Sequence, residues 1–159
     1  MKEIKVGILG AGPFGRDVHF PALSYIQKNY GDKFKLTLEA LCEMDEEVAQ
    51  EVSSKYNISK IYHDLDEFAK DKDLDCFVVV INPNRLKGVF NVLQQRQLPL
   101  FTEKPPGITF KEAKAFAGTI TQTNVVAFNR RYFPIIEKFK KILEEIEDIY
   151  YIDCNFYRN

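Results

Sequence analysis

Apolar residues along this chain fall into two rhythms. Short, nearly continuous apolar runs occupy 4–9, 34–42, 60–62, 75–81, 98–102 and 125–128. Between them apolar positions recur every three or four residues, at 14–28, 45–56, 64–70, 85–96 and after Thr109. The runs read as strands and the intervening segments as helices. The run DCFVVVI (75–81) is apolar at consecutive positions, as a central strand covered on both faces requires. In 85–96, Leu86, Val89, Phe90 and Leu93 share one helix face. Thr109 and Glu112 form a T-x-x-E capping box, opening a helix expected to turn Ala113, Phe116, Ala117 and Ile120 inward. Asp45 is a good N-cap. Pro21 cannot donate a backbone hydrogen bond and predicts a bend or split in the first helix. This alternation specifies βαβ units, and hence an α/β fold with a doubly wound parallel sheet, over residues 1–128.

From residue 129 the pattern changes. Pro134 stands where a helix would begin, followed by an apolar stripe of Ile135, Ile136, Phe139, Ile142, Leu143 and Ile146. IYYIDCNFYRN then alternates, with Tyr150, Ile152, Cys154 and Phe156 on one side, and predicts a half-buried strand. Such a strand needs a sheet to join. Residues 129–159 are therefore expected to be the first helix and strand of a truncated second α/β domain, for substrate or oligomerisation.

Composition narrows the function classes. Of 159 residues 45% are hydrophobic and 28% charged, an ordinary globular balance. The net charge of −1 gives no electrostatic reason to expect nucleic acid or an anionic membrane as partner. No apolar run approaches the roughly 20 residues that span a bilayer, and MKEIKVGILG is too short in its apolar stretch for a secretory signal. Cys42, Cys76 and Cys154 are an odd count without C-x-x-C spacing, so neither a metal site nor a disulfide framework is indicated. These features point to a cytoplasmic protein.

Three stretches carry candidate chemistry. ILGAGPFGRDVHF (8–20) places Gly10, Gly12 and Gly15 in a G-x-G-x-x-G pattern between the first strand and the first helix. That context lets a dinucleotide pyrophosphate approach the backbone at a helix N-terminus; a glycine turn without ligand is the alternative. At the end of the second strand, in LCEMD, Glu43 is placed to accept hydrogen bonds from both ribose hydroxyls of an adenosine and to repel a 2′-phosphate. An exposed carboxylate near a helix start is the alternative there. With no cation at Met44, NAD is expected over NADP. The third stretch, FTEKPPGITFKEA, follows the fifth strand. It puts Lys104 at a strand carboxyl end, where ligands of open α/β sheets bind, and Pro105 restricts its backbone and admits a cis bond. An ammonium there can bond a substrate hydroxyl or carbonyl; a solvated lysine beside a turn is the alternative.

Together, G-A-G-P-F-G after the first strand, N-P-N after the fourth, E-K-P after the fifth and F-N-R-R-Y after the sixth resemble the Gfo/Idh/MocA oxidoreductases, most closely the MviM-like branch. The resemblance covers essentially the whole chain. It implies a Rossmann domain binding NAD(H) or NADP(H), followed by an α/β domain with an open, mostly antiparallel sheet. It also implies a sugar, sugar derivative or cyclitol as substrate, reacting at a hydroxyl-bearing carbon. It makes Lys104 the substrate-contacting lysine and Glu103 its supporting carboxylate. It assigns Gly10, Gly12, Pro13, Phe14 and Gly15 to the pyrophosphate turn, and Asn82, Pro83 and Asn84 to the loop beside the nicotinamide ribose. Where family members often carry a histidine after that loop, this chain has Lys87. The family's catalytic aspartate and histidine lie in the second domain, beyond this chain, and His19 and His63 do not match them. His19 is expected to be a packed helix residue and His63 an exposed loop residue, while Arg130 and Arg131 are open between a contact with cofactor or the domain junction and surface salt bridging.

The expectation is thus the NAD-binding portion of an oxidoreductase, inactive by itself. A non-catalytic nucleotide-binding or assembly subunit, completing its sheet with a homo-oligomeric or other partner through the terminal strand, is the second reading. A methyltransferase is weaker, because Leu9 stands where an acidic residue usually precedes the glycine loop.

Overall fold

The computed structural model describes residues 2–153 and residue 155. The chain separates between Ala127 and Phe128 into two compact units. The first contains strands β1 (Glu3–Leu9), β2 (Lys35–Cys42), β3 (Lys60–Tyr62), β4 (Cys76–Val79), β5 (Leu100–Thr102) and β6 (Asn124–Val126). They form one sheet in the order β3-β2-β1-β4-β5-β6, every pairing parallel. Helices α1 (Phe20–Asn29), α2 (Glu46–Tyr56), α3 (Leu65–Lys70), α4 (Pro83–Leu93) and α5 (Phe110–Thr119) make the crossovers. The strand order reverses between β1 and β4, and at such a switch point the loops leave in opposite directions and open a crevice.

The continuous apolar runs are explained by two cores, one on each face. Val6, Ile8, Leu38 and Val78 pack with Phe20 of α1 and with Ala49 and Val52 of α2. Leu9, Phe77, Val79 and Leu100 pack with Phe68 of α3, Leu86, Phe90 and Leu93 of α4, and Phe116 of α5. Neighbouring residues of β4 thus serve opposite cores. Phe20, Phe68 and Phe77 are fully enclosed, each worth about 1.5–3 kcal/mol against exposure. Gly7 has no room for a side chain, because a Cβ would lie 2.6 Å from Leu74 Cδ1 and 2.9 Å from Phe68 Cζ.

Helix starts follow the caps. Asp45 accepts from Val48 N at 3.1 Å and Asp64 from Glu67 N at 2.9 Å. The Thr109–Glu112 capping box is complete. Helix α4 starts before residue 85, because Asn82 Oδ1 accepts from Asn84 N at 3.0 Å and Pro83 takes the first helical position.

Three expectations need correction. The discontinuity expected at Pro21 is a π turn, Gly15–His19, directly before α1. Pro21 offers no proton to the carbonyl four residues back, and Phe20 N bonds Gly15 O in the wider π pattern. Ala117 is exposed, because α5 touches the core mainly through Phe116, whose ring lies tilted against Phe90 with centroids 4.1 Å apart, and through Ile120 one turn on. Finally, residues 149–153 and Asn155 form no strand. Cys154 and 156–159, which share that expected strand, lie outside the described residues. Among the described residues, the unit from Phe128 onward has no strand with which 149–153 could pair.

That second unit carries α6 (Pro134–Leu143), opened by a short 3₁₀ turn, Asn129–Tyr132. Its stripe is present, but Ile135, Phe139, Ile142 and Ile146 are exposed and Ile136 and Leu143 only half-buried.

Candidate functional site

At the carboxyl end of β1 the chain turns through Gly10, whose φ of 94° lies where L side chains are strained. A Cβ there would also collide with the Val80 carbonyl of the loop after β4. Gly10 N donates to Cys42 O at 2.9 Å, so this turn bridges β1 to the end of β2. Gly12 differs, since a Cβ added to it meets nothing within 4 Å. Space is reserved above it. Gly15 is buried but would hold a Cβ at ordinary contact distances, the nearest atom being Gly10 O at 3.5 Å. The first helical bond of this segment runs from Arg16 N to Gly12 O at 3.0 Å. The amides of Phe14 and Gly15 precede it and have no helical acceptor.

A cavity of about 320 Å³ opens over this turn. Gly12, Pro13, Phe14 and Gly15 form one wall, Asn82, Glu103 and Lys104 the other, with Val80 and Ile81 between them. This volume lies in the range of small-molecule sites. The switch point thus brings together seven of the eleven residues singled out in the sequence. Gly10 supports the turn from below, and Glu43 stands on the β2 side. Pro83 and Asn84 do not line this cavity. They border a larger one, about 580 Å³, between α4 and the segment running into α5, to which no expectation pointed.

Glu43 is held by the backbone. Its Oε2 accepts from Ala11 N at 2.7 Å, and its Oε1 from Met44 N at 2.7 Å and Asp45 N at 3.2 Å. A carboxylate has about four lone-pair sites, so one remains readily available. Glu103 is held differently. Its Oε1 lies 2.7 Å from His19 Nε2 and its Oε2 accepts from Lys104 N at 3.2 Å. The Lys104–Pro105 bond is cis, and Lys104 Nζ has no hydrogen-bond or ion-pair partner among the described residues.

His19 is therefore more than a packed residue, and sequence reasoning missed its contact. Its one available signal is spacing: it stands four residues after Gly15, about one turn along the same segment. His63 is exposed as expected, with Nδ1 at 2.6 Å from Glu43 O and Nε2 at 2.8 Å from Glu46 Oε2. The Arg131 guanidinium lies 5.4 Å from the Phe128 ring centroid.

Neither thiol near the sheet is a nucleophile. Burial, with the charges of Glu43 and Asp64 behind it, pushes Cys42 up to about 12. Burial, with Asp75, pushes Cys76 up to about 11. Both stay protonated near neutrality. Among the described residues no three His, Cys, Asp or Glu side chains are grouped to hold a metal ion, and no helix is long and apolar enough to cross a membrane.

Known proteins resemble this chain in sequence and in fold. The chain is 30% identical over 123 residues to trans-1,2-dihydrobenzene-1,2-diol dehydrogenase of Xenopus tropicalis, covering 74% of this chain and 37% of that one. It superposes on an NAD binding oxidoreductase from Klebsiella pneumoniae with a TM-score of 0.80 at 22% identity, covering 90% and 39% of the two chains. On scyllo-inositol dehydrogenase from Lactobacillus casei, solved with bound NAD(H) and scyllo-inositol, the TM-score is 0.77 at 18% identity, covering 91% and 42%. The chain thus spans about two fifths of the length of these relatives. The model of the Gfo/Idh/MocA oxidoreductases, described as an NAD-binding Rossmann fold, matches residues 4–130. The chain belongs to the Gfo/Idh/MocA oxidoreductase family.

Proposed function

We propose that this chain holds NAD across its switch point, as the dinucleotide-binding part of an oxidoreductase acting on a hydroxyl-bearing carbon of a sugar, sugar derivative or cyclitol. One observation carries the reading most directly: the single cavity that joins the glycine turn to Lys104. The residues present fit the dinucleotide. The open space above Gly12 is what a pyrophosphate approaching the backbone needs. The unpaired amides of Phe14 and Gly15, at the positive end of the helical segment, suit its charge. The substrate class rests on the relatives, one a dihydrodiol dehydrogenase and one solved with scyllo-inositol.

Each residue then has a task. Glu43 accepts an adenosine ribose hydroxyl with its remaining lone-pair site. A second hydroxyl would displace the longer bond from Asp45 N, at 3.2 Å. A 2′-phosphate would meet this carboxylate directly, which favours NAD over NADP. With the adenosine on the β2 side, the nicotinamide half falls on the β4–β5 side, beside Asn82 and Lys104. Bound NAD supplies the hydride acceptor for the substrate C–H bond. Lys104 Nζ donates to the substrate oxygen and holds it toward the cofactor. Family resemblance assigns the proton-handling aspartate and histidine to a second domain beyond these residues. The chain by itself is therefore expected to bind without turning over.

Thermal unfolding with and without nucleotide tests this. Saturating NADH at about 100 times its Kd should stabilise the chain by about 2.7 kcal/mol. No shift with millimolar NAD(H) or NADP(H) would sink the cofactor assignment. Robust oxidation of a polyol panel by this chain alone would refute the need for further catalytic residues.

A further inference from the structure

Two segments of the site are tied together by a contact 84 residues apart in sequence. His19 Nε2 lies 2.7 Å from Glu103 Oε1, and the two side chains are only 12% and 14% exposed. The imidazole is wedged edge to face between two phenyl rings, Phe14 at 5.3 Å and Phe101 at 5.6 Å. A carboxylate only accepts, so the donor is Nε2–H whatever the charge on the ring. Glu103 passes the constraint on. Its other oxygen takes the amide of Lys104, and its own amide donates to Val79 O at 3.2 Å. Lys104 Nζ, by contrast, is anchored by nothing in its surroundings among the described residues. Its placement depends on the backbone that Glu103 fixes.

The position of His19 matters as much as its partner. It closes the π turn that opens at Gly15, with Phe20 N bonded to Gly15 O. That turn shifts the register of the following residues by one position, and such turns are frequent at functional sites. Phe14, one of the rings enclosing His19, also lines the cavity over the glycines.

We propose that His19 is a positioning residue for Lys104. By holding Glu103 it sets the course of the chain at Lys104, and by standing on the turn that follows the glycines it links occupation of that turn to the nicotinamide side of the cavity. This rests on the reading of the cavity as a dinucleotide site, with Glu43 on the adenosine side and Lys104 on the nicotinamide side.

The test compares NADH with ADP-ribose, which lacks the nicotinamide, by calorimetry on the full 159-residue chain. His19→Leu keeps apolar bulk between the two rings and removes the donor, whereas His19→Gln restores an N–H near Nε2. Wild type should bind both nucleotides. His19→Leu should keep its ADP-ribose affinity within about twofold and lose NADH affinity about tenfold, and His19→Gln should recover most of that loss. Equal losses for both nucleotides, or no loss for either, would overturn the proposal. If wild type binds neither nucleotide, the dinucleotide reading fails first and takes this one with it. Should His19→Leu not fold, the wild type still decides. With two histidines in the chain, the imidazole nitrogen–proton NMR spectrum reads each ring, and His19 must carry a slowly exchanging proton on Nε2. A bare Nε2 on His19 would refute the link.

Discussion

Two glutamates end two strands of the same sheet, on either side of the switch point, and are held in opposite ways. Glu43, after β2, is fixed by three backbone amides within its own turn and the glycine turn. Glu103, after β5, is fixed by one amide and by the side chain of a histidine on a distant element. A carboxylate held by backbone is as rigid as the fold. One held by a side chain can be retuned by a single substitution elsewhere. On the reading proposed above, the side assigned to adenosine is built for invariance and the side assigned to the reacting groups for adjustment.

The largest effect should come from the frame around Glu43. Gly10→Ala forces a left-handed backbone on an L residue, costing about 1–2 kcal/mol, and adds a collision with the Val80 carbonyl. Urea unfolding should show a loss beyond that figure, together with loss of NADH binding.

Glu43→Ala comes next. It strips the acceptor from Ala11, Met44 and Asp45 amides and should lower stability by about 2 kcal/mol, with NAD affinity falling more than NADP affinity. Glu103→Ala should cost about 1 kcal/mol and leave ADP-ribose binding nearly intact. Equal stability losses for the two alanine variants would erase the contrast between them.

A third carboxylate sharpens the comparison. Asp71 is largely buried, which by itself pushes it up. The Asp73 amide, the Lys60 ammonium at 3.1 Å and the Tyr62 hydroxyl at 3.0 Å outweigh that and hold it below the ordinary 3.8. A lowered carboxylate contributes stability above its unfolded value and loses it as pH falls through the folded one. Unfolding midpoints should therefore drop on acidification below about pH 4, and Asp71→Asn should flatten that drop. The smallest effect on stability belongs to Gly12→Ala, within about 0.5 kcal/mol, because its Cβ enters empty space. NADH affinity should nevertheless fall. A stability loss equal to that of Gly10→Ala would show that the space above Gly12 is already filled by protein.

Much of this was legible in advance for a simple reason. A buried parallel sheet demands apolar residues on both faces, and helix ends demand caps, so β4, Asp45 and Thr109–Glu112 announce themselves. The glycines, Lys104 and Glu43 were legible because the strand ends of a doubly wound sheet converge on one place. What escaped depends on distances between elements far apart in sequence. Gly7 yields space to Phe68, which no local pattern reveals. The outward Ala117 follows from how α5 rests on its neighbours, and the pairing of His19 with Glu103 needs both the π turn and the β5 loop in place. The alternation over 149–153 shows the converse, a period that forms no strand among the described residues, where no neighbouring strand stands to pair with it.

The sheet order also governs when the site can come into being. β1 pairs with β2 about 30 residues on and with β4 about 70 residues on, and the second seam closes the longer loop at greater entropic cost. On a ribosome the glycine turn emerges well before β4, about 60 residues ahead of it. The crevice above it has no second wall until β4 has been synthesised and has threaded in beside β1. Nascent chain shorter than that carries the motif without the pocket, and the wall made by Glu103 and Lys104 comes only after β5, so a nucleotide held there, as proposed, would clamp the finished sheet rather than template its first half.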